Sequence, residues 1–224
     1  MKLFNILILY VIFSANQNVQ AQYKPFPKIL SNVNAINKLK WAEKLSNDER
    51  KIKYIGKYRD TLLLSEREFD LEDYKVSVNE ARYLYSYPNY GDNKLAIKFD
   101  TTQLVGSRET LWVGNVEKIK IYDAIPVIIE NKSDSTIIVG FGRRIPIFLE
   151  ALDIDDKWKP IEKPYIYKSG TGLRKIMLKS NDIVCVLVPK YSGDFITQLR
   201  LRLGQNISVP FCGRINRNQF RDNK

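Results

Sequence analysis

Apolar runs recur about every ten residues along most of the chain, with polar or glycine-containing segments between them. The clearest case is the stretch from residue 125 to residue 152, IPVIIENKSDSTIIVGFGRRIPIFLEAL. Its runs at 125–130 and 136–141 are dense in Val and Ile, and a third run ends at residue 152. The pattern predicts three consecutive β-strands, the first two separated by a polar segment, 131–135, that is long enough to reverse the chain.

The same rhythm continues on both sides of this stretch and predicts an all-β fold. Val, Ile, Tyr and Phe are common in the runs, whereas Gly, Asn, Asp, Ser and Pro are common between them. Further strands are predicted at 52–57, 61–64, 74–78, 82–87, 95–99, 116–122, 161–168, 173–178, 183–188 and 195–203.

Two kinds of strand differ in how many of their faces are apolar. Residues 127–129 and 184–188 are apolar on both faces, which is typical of strands in the middle of a structure. Residues 195–203 alternate, so that Arg200 and Arg202 share a polar face. The combination predicts a sandwich of antiparallel sheets, with Trp158 or Trp112 as a core aromatic residue.

The strand rhythm of residues 123–205, with the hairpin expected for PVIIENKSDSTIIV, resembles an immunoglobulin-like β-sandwich. The layout of the whole chain is similar to that of uncharacterised exported proteins of bacterial envelopes. This resemblance implies a binding or structural role. The expected fold is therefore an antiparallel immunoglobulin-like β-sandwich with a β-rich N-terminal half and a short N-terminal helix.

The N-terminus has the features of a secretory signal peptide. Lys2 precedes an apolar run over residues 3–13, and small residues lead to Ala21. A membrane anchor is the alternative, but the run is about half of the roughly 20 residues that a spanning helix needs. We predict export to the periplasm, the cell surface or the medium, with no membrane span in the mature chain.

Composition changes along the chain suggest how it is divided. Residues 1–21 are the predicted signal peptide, and residues 22–50 form an extended leader and a short helix that begins near Ser31. A β-rich N-terminal region, 51–115, precedes the immunoglobulin-like sandwich, 116–213, and a basic tail, 214–224.

The formal net charge is +11, from 36 Lys and Arg against 25 Asp and Glu. A strongly basic exported protein favours an anionic glycan, another anionic envelope component or an acidic protein as partner, and not nucleic acid. Alternatively, the charge only keeps the protein in solution.

The chain has no His and only two Cys, which removes several kinds of chemistry. Ser-His-Asp and Cys-His catalysis and His-ligated metal sites are excluded, and no metal or cofactor is expected. In an oxidising compartment, Cys185 and Cys212 are candidates for a disulfide between two C-terminal strands. The alternative is two unpaired buried thiols.

Tyrosines and arginines supply the candidate binding residues. Alternation along one predicted strand places tyrosine rings on one face. There they either stack on the sugar rings of a ligand or only pack against a half-buried sheet, with their hydroxyl groups in water. Arginines suit anions because the guanidinium group donates two parallel hydrogen bonds. The candidates are Tyr83, Tyr85, Tyr87, Tyr90, Arg143, Arg144, Arg200 and Arg202.

Carboxylates supply the remaining candidates. Glu130 and Glu150 are a candidate pair for glycoside hydrolysis if they meet across strands. Residues 153–157, DIDDK, alternate oxygen ligands but lack the Gly and Glu of a calcium loop, so a solvent-exposed turn is expected. The sequence favours a non-enzymatic exported interaction or structural protein, then a glycan binder that uses the tyrosine face, then a carboxylate-dependent hydrolase.

Overall fold

The computed structural model describes residues 24–33, 50–64, 74–76, 93–113, 116–162 and 175–220. The predicted signal peptide, the four candidate tyrosines and the predicted helix beyond residue 33 lie outside the described residues. Strands dominate the described residues, which confirms the all-β class. The strands are β1 Lys28–Ser31, β2 Ile52–Lys57, β3 Thr61–Leu64, β4 Lys75–Val76, β5 Leu95–Phe99, β6 Val105–Val113, β7 Val116–Asn131, β8 Ile137–Phe141, β9 Phe148–Leu152, β10 Trp158–Pro160, β11 Lys175–Leu178, β12 Asp182–Pro189, β13 Phe195–Leu203, β14 Asn206–Ile207 and β15 Phe211–Ile215.

A central antiparallel sheet has the order β2-β12-β7-β5, and β6 also pairs with β7. The predicted strands at 116–122 and 125–130 are one continuous strand, β7. Pro126 lies on β7 between the partners β5 and β6, where its missing N–H removes no ladder hydrogen bond. Because β2, β5 and β6 all belong to this sheet, it crosses the boundary predicted at residue 115.

The other strands form three smaller sheets. A second antiparallel sheet has the order β10-β9-β13-β14, with β15 also paired to β13. A third has the order β4-β11-β8, and β1 pairs with β3 in parallel. The described structure is therefore predominantly antiparallel, with one parallel pair.

The central sheet is covered on both faces, as predicted for its apolar strands. Val127 and Val186 belong to the main core cluster together with Leu149 of β9 and Leu201 of β13. On the opposite face, a second cluster joins residues of β7 and β12 to residues of β1 and β3: Ile128, Cys185, Leu187, Ile29 and Leu62. Burial of apolar area on both faces stabilises β7 and β12 most.

The prediction of a hairpin between β7 and β8 is wrong, because these two strands do not pair with each other. β7 has β12 on one side and β5 on the other, so β8 pairs instead with β11 in the third sheet. The segment between them is held by Asn131, whose buried side-chain amide donates to the carbonyls of Ser135, at 2.7 Å, and Leu178, at 2.9 Å. The polar segment therefore connects two sheets.

Glycines shape the tight turn that follows β8. Phe141 and Arg144 exchange two backbone hydrogen bonds of 3.0 Å, and Gly142 between them has a φ of 59°. A Cβ on Gly140 would lie 2.1 Å from the carbonyl oxygen of Arg144. The corner predicted from these glycines is present, and it closes only because Gly140 has no side chain.

The C-terminal residues pack on β13. A 3-10 helix, Arg217–Phe220, follows β15, and the Phe220 ring meets the Phe195 ring edge-on with centroids 5.9 Å apart. The Arg217 guanidinium lies 4.9 Å from the Phe195 ring centroid. The predicted basic tail is thus docked through residue 220. In the described part of the chain, no helix has the length and apolar character needed to cross a membrane.

Candidate functional site

Arg200 and Arg202 meet Glu150 and Trp158 on one face of the second sheet, and we call these four residues the arginine cluster. Their neighbours in sequence, Leu149, Ala151, Leu199 and Leu201, belong to the main core. Because side chains alternate along a strand, Glu150 and both arginines lie on the outer face. The register pairs Arg200 with Glu150 directly across β13 and β9.

Glu150 holds both guanidinium groups in place. Nε of Arg200 donates to its Oε2 at 2.6 Å, and Nη1 of Arg202 donates to its Oε1 at 3.1 Å. Nε of Arg202 also donates to the carbonyl of Gly204 at 3.0 Å. Both carboxylate oxygens are therefore occupied, and two positive charges face one negative charge.

Trp158 covers one side of Arg200. Its half-buried ring lies on β10, and the Arg200 guanidinium carbon is 4.2 Å from the ring centroid. Of the two tryptophans predicted as core residues, Trp158 is not in the core: β10 pairs at the sheet margin with β9, where one side of the indole ring stacks on a cation. The side chain of the other, Trp112, lies outside the described residues. The stacking of Trp158 fixes the guanidinium plane of Arg200 without using its donors.

Donors remain for a ligand. Within the described structure, no protein atom accepts from Nη1 or Nη2 of Arg200 or from Nη2 of Arg202. The side chains are 18% and 29% exposed, so they are partly shielded from water and salt. Partly buried, preoriented guanidinium groups bind carboxylate, sulfate or phosphate more strongly than mobile surface charges do.

The other predicted arginines lie elsewhere in the fold. Arg143 and Arg144 occupy the turn after β8, where the Arg143 carbonyl accepts from Ile52 N at 2.9 Å and Arg144 forms a β-bridge with Lys51. Their backbone attaches this turn to the start of β2. The structure does not place them in the arginine cluster, and the candidate tyrosines are outside the described residues.

The predicted disulfide is absent from the structure. Both cysteines are free, with Cys185 buried and Cys212 exposed. Cys185 faces the second core cluster from β12 in the central sheet, whereas Cys212 is on β15 in the second sheet. Burial raises the pKa of the Cys185 thiol to about 12, so this thiol is unreactive.

Glu130 and Glu150 do not form a pair. Val127 and Ile129 of β7 and Leu149 and Ala151 of β9 face the shared core, so the two carboxylates point away from it on opposite sides. Glu130 instead contacts three lysines, Lys24 at 3.7 Å and Lys98 and Lys132 at 2.9 Å each. The geometry needed for two-carboxylate hydrolysis is not assembled by these residues.

The 153–157 segment is a turn, as expected. Oδ1 of Asp153 accepts from the backbone N–H groups of Asp155 and Lys157 at 2.9 Å each, and Lys159 forms a salt bridge to Oδ2. These bonds lower the pKa of the Asp153 carboxyl, the largest contribution coming from Lys159. The carboxylate oxygens are used by the protein itself.

A buried ionic contact was not predicted from the sequence. Nη2 of Arg50 donates to Oε2 of Glu162 at 2.6 Å, and this oxygen also accepts from Leu149 N at 2.9 Å. The other carboxylate oxygen accepts from the Tyr191 hydroxyl at 2.7 Å. Arg50 reaches the carbonyls of Ile147 and Leu187 as well. These partners belong to the central and second sheets or to the segments next to them, so the contact joins the two larger sheets.

Comparisons with protein-family models, with curated proteins and with solved structures found no match.

Proposed function

We propose that this chain is a non-enzymatic interaction protein of the immunoglobulin-like sandwich class, exported to the cell envelope or secreted, which binds an anionic partner through the arginine cluster. The observation that supports this proposal is that Arg200 and Arg202 keep unused Nη donors while Glu150 holds both guanidinium groups and Trp158 stacks on that of Arg200. Preorganisation of this kind reduces the entropy lost on binding.

The ligand chemistry follows from the donors. The Nη1 and Nη2 edge of Arg200 matches the two oxygens of a carboxylate or sulfate, and Arg202 adds one further donor. The net charge of +11 raises the rate at which an anionic partner is encountered. Anionic polysaccharide of the envelope is the partner that suits an exported location best, and an acidic protein is the second.

The test measures binding to immobilised polygalacturonate and to heparin as salt is raised. R200Q/R202Q keeps polar side chains but removes both charges, and we expect affinity to fall about tenfold or more. The matched control is K28Q/K94Q, which removes two charges from exposed positions outside the cluster. Thermal unfolding of each variant shows whether the fold is retained.

Wild-type binding should persist above physiological salt because partly buried donors are screened less than exposed ones. Equal loss of affinity in the two double variants would mean that only net charge matters, and the proposal would fail. Failure of folded wild-type protein to bind either polymer or an acidic protein surrogate, polyglutamate, would also refute it.

A further inference from the structure

Beyond the proposed function, a second surface lies outside the arginine cluster: one edge of β7, along which no strand of the described residues pairs. β6 and β7 pair along their whole shared length, from Val105 with Ala124 to Val113 with Val116. On the other side of β7, β12 pairs only from Glu130 to Ala124. Residues 116–122 of β7 thus extend beyond β12 in a two-stranded ribbon, and no described strand pairs with their second side.

The direction of the unpaired backbone groups can be read from the ladder. Lys190 N donates to the carbonyl of Asp123 at 2.9 Å, so the backbone groups of Asp123 point towards the β12 side. Backbone groups alternate in direction along a strand, and no register shift interrupts β7. The N–H and C=O groups of Ile121, Ile119 and Glu117 therefore face the open side. We call this side the free edge.

A two-stranded ribbon is marginally stable alone, so the free edge is suited to accept a third strand. At the base of the ribbon Tyr122 and Ser107 are buried, whereas Ile119, closer to the ribbon tip, is 44% exposed. An exposed apolar residue beside unpaired backbone donors and acceptors is the arrangement that strand addition uses.

Charge indicates what kind of strand would fit. Residues 118–121 read Lys-Ile-Lys-Ile, so cations and apolar residues alternate along this part of the edge strand. Lys120 is exposed, so its charge is accessible to a strand added at this edge. Opposite charges on neighbouring strands stabilise a sheet, and like charges directly opposite destabilise it.

We infer that the free edge of β7, residues 117–121, binds an extended partner segment in which acidic and apolar residues alternate, by adding it as a strand next to Ile119 and Ile121. Backbone hydrogen bonds to the N–H and C=O groups of these residues supply affinity. Acidic side chains beside the exposed Lys120 supply selectivity.

The test uses a short fluorescent peptide that alternates glutamate and valine, and a matched peptide that alternates lysine and valine. Binding is measured by anisotropy with the full chain in the R200Q/R202Q background, so that the arginine cluster does not contribute. We expect the glutamate peptide to bind and the lysine peptide to bind at least about tenfold more weakly. Hydrogen exchange at the amides of Ile119 and Ile121 should slow when the glutamate peptide is added.

The discriminating variant is I119P. Proline removes the outward N–H of residue 119 but no hydrogen bond to β6, and edge positions of sheets accept proline. Affinity for the glutamate peptide should fall about tenfold or more in I119P and stay unchanged in I119V, which keeps the N–H. Circular dichroism and thermal unfolding check that both variants fold.

Three results would overturn the inference. Unchanged affinity in folded I119P, equal binding of both peptides, or unslowed exchange at Ile119 and Ile121 each excludes strand addition of an acidic segment. Self-association of the free protein that I119P abolishes would assign the edge to a second copy instead. Because the background lacks the arginine cluster's charges, these outcomes are independent of those for the proposed function.

Discussion

Glu162 is a buried carboxylate whose two oxygens accept hydrogen bonds from Arg50, Leu149 and Tyr191. Arg50 and Glu162 are 8% and 5% exposed. Moving two charges out of water is costly, and the cost is offset only while both charges are present and hydrogen-bonded. Neither residue can therefore be changed alone without leaving an uncompensated charge in the interior.

We expect Glu162→Gln to lower the free energy of unfolding by about 3 kcal/mol or more, since it leaves the Arg50 guanidinium buried without its counter-charge. Urea unfolding measures the change, with one value of m, the dependence of the free energy of unfolding on urea concentration, fitted to all variants. The double variant R50M/E162M should lose clearly less than the sum of R50M and E162M, because it removes both charges together. Additive losses would contradict a coupled pair.

Which single residues can be predicted depends on how near their partners are in sequence. Arg200 and Arg202 were recognisable because alternation within one strand places them on a polar face. Their partner Glu150 lies 50 residues from Arg200, and Glu162 lies 112 residues from Arg50. No local pattern links residues so far apart, so the ion pairs and the stacking of Trp158 became visible only in the structure.

At the scale of elements, the tight turn from Phe141 to Arg144 depends on the absence of a side chain at Gly140. A Cβ there would lie 2.1 Å from the Arg144 carbonyl oxygen, a backbone atom that cannot move aside without opening the turn. The turn carries Arg143, whose carbonyl accepts the bond from Ile52 N.

We therefore expect Gly140→Ala to destabilise the protein by about 1–3 kcal/mol and to loosen the start of β2. Thermal unfolding measures the first effect, and faster amide exchange at Ile52 reports the second. Gly193→Ala is not a suitable control, because a Cβ there would also clash with backbone atoms. The control is Gln198→Ala, a substitution at an exposed position of β13 that should leave stability and exchange at Ile52 unchanged. Unaltered exchange at Ile52 in G140A would show that the turn does not hold β2.

The existence of strands was more predictable than their partners. β2, β3, β5 and β13 have the predicted bounds because alternation and β-branched residues are local signals. The pairing of β7 with β12 and of β8 with β11 depends on residues far apart in sequence. The hairpin prediction failed because a polar segment such as 131–135 can reverse the chain within one sheet or between two, and the bonds from Asn131 to Ser135 and Leu178 stabilise the second arrangement.

At the scale of the whole molecule, the balance of charge governs how stability depends on pH. Burial raises the pKa of the Glu130 carboxyl, but hydrogen bonds from Lys98 and Lys132 outweigh this effect and hold the pKa below its ordinary value of 4.5. A carboxyl whose pKa is lower in the folded state stabilises the fold above its unfolded pKa, and this contribution is lost as pH falls through the folded value.

We expect Glu130→Gln to be less stable than the wild type at neutral pH, because three lysines lose their shared counter-charge. Its free energy of unfolding should also fall less steeply than that of the wild type below about pH 4.5. Urea unfolding across a pH series measures both effects. Asp134→Asn, which removes one exposed carboxylate, is the matched control, and parallel wild-type and E130Q curves would contradict the linkage.

The pairing of β2 with β12 also constrains the order in which the protein can fold. Arg50 contacts the carbonyl of Leu187, which is 137 residues farther along the chain. Synthesis from the N-terminus therefore produces β2 and β7 before β12. Until the later strands are made, the apolar residues on both faces of β7 lack some of the core residues that pack against them in the fold. Sheets assembled from segments far apart in sequence form slowly, and their folding intermediates expose apolar surface that promotes aggregation. We therefore expect the nascent chain to be prone to aggregation until its last strands have been made.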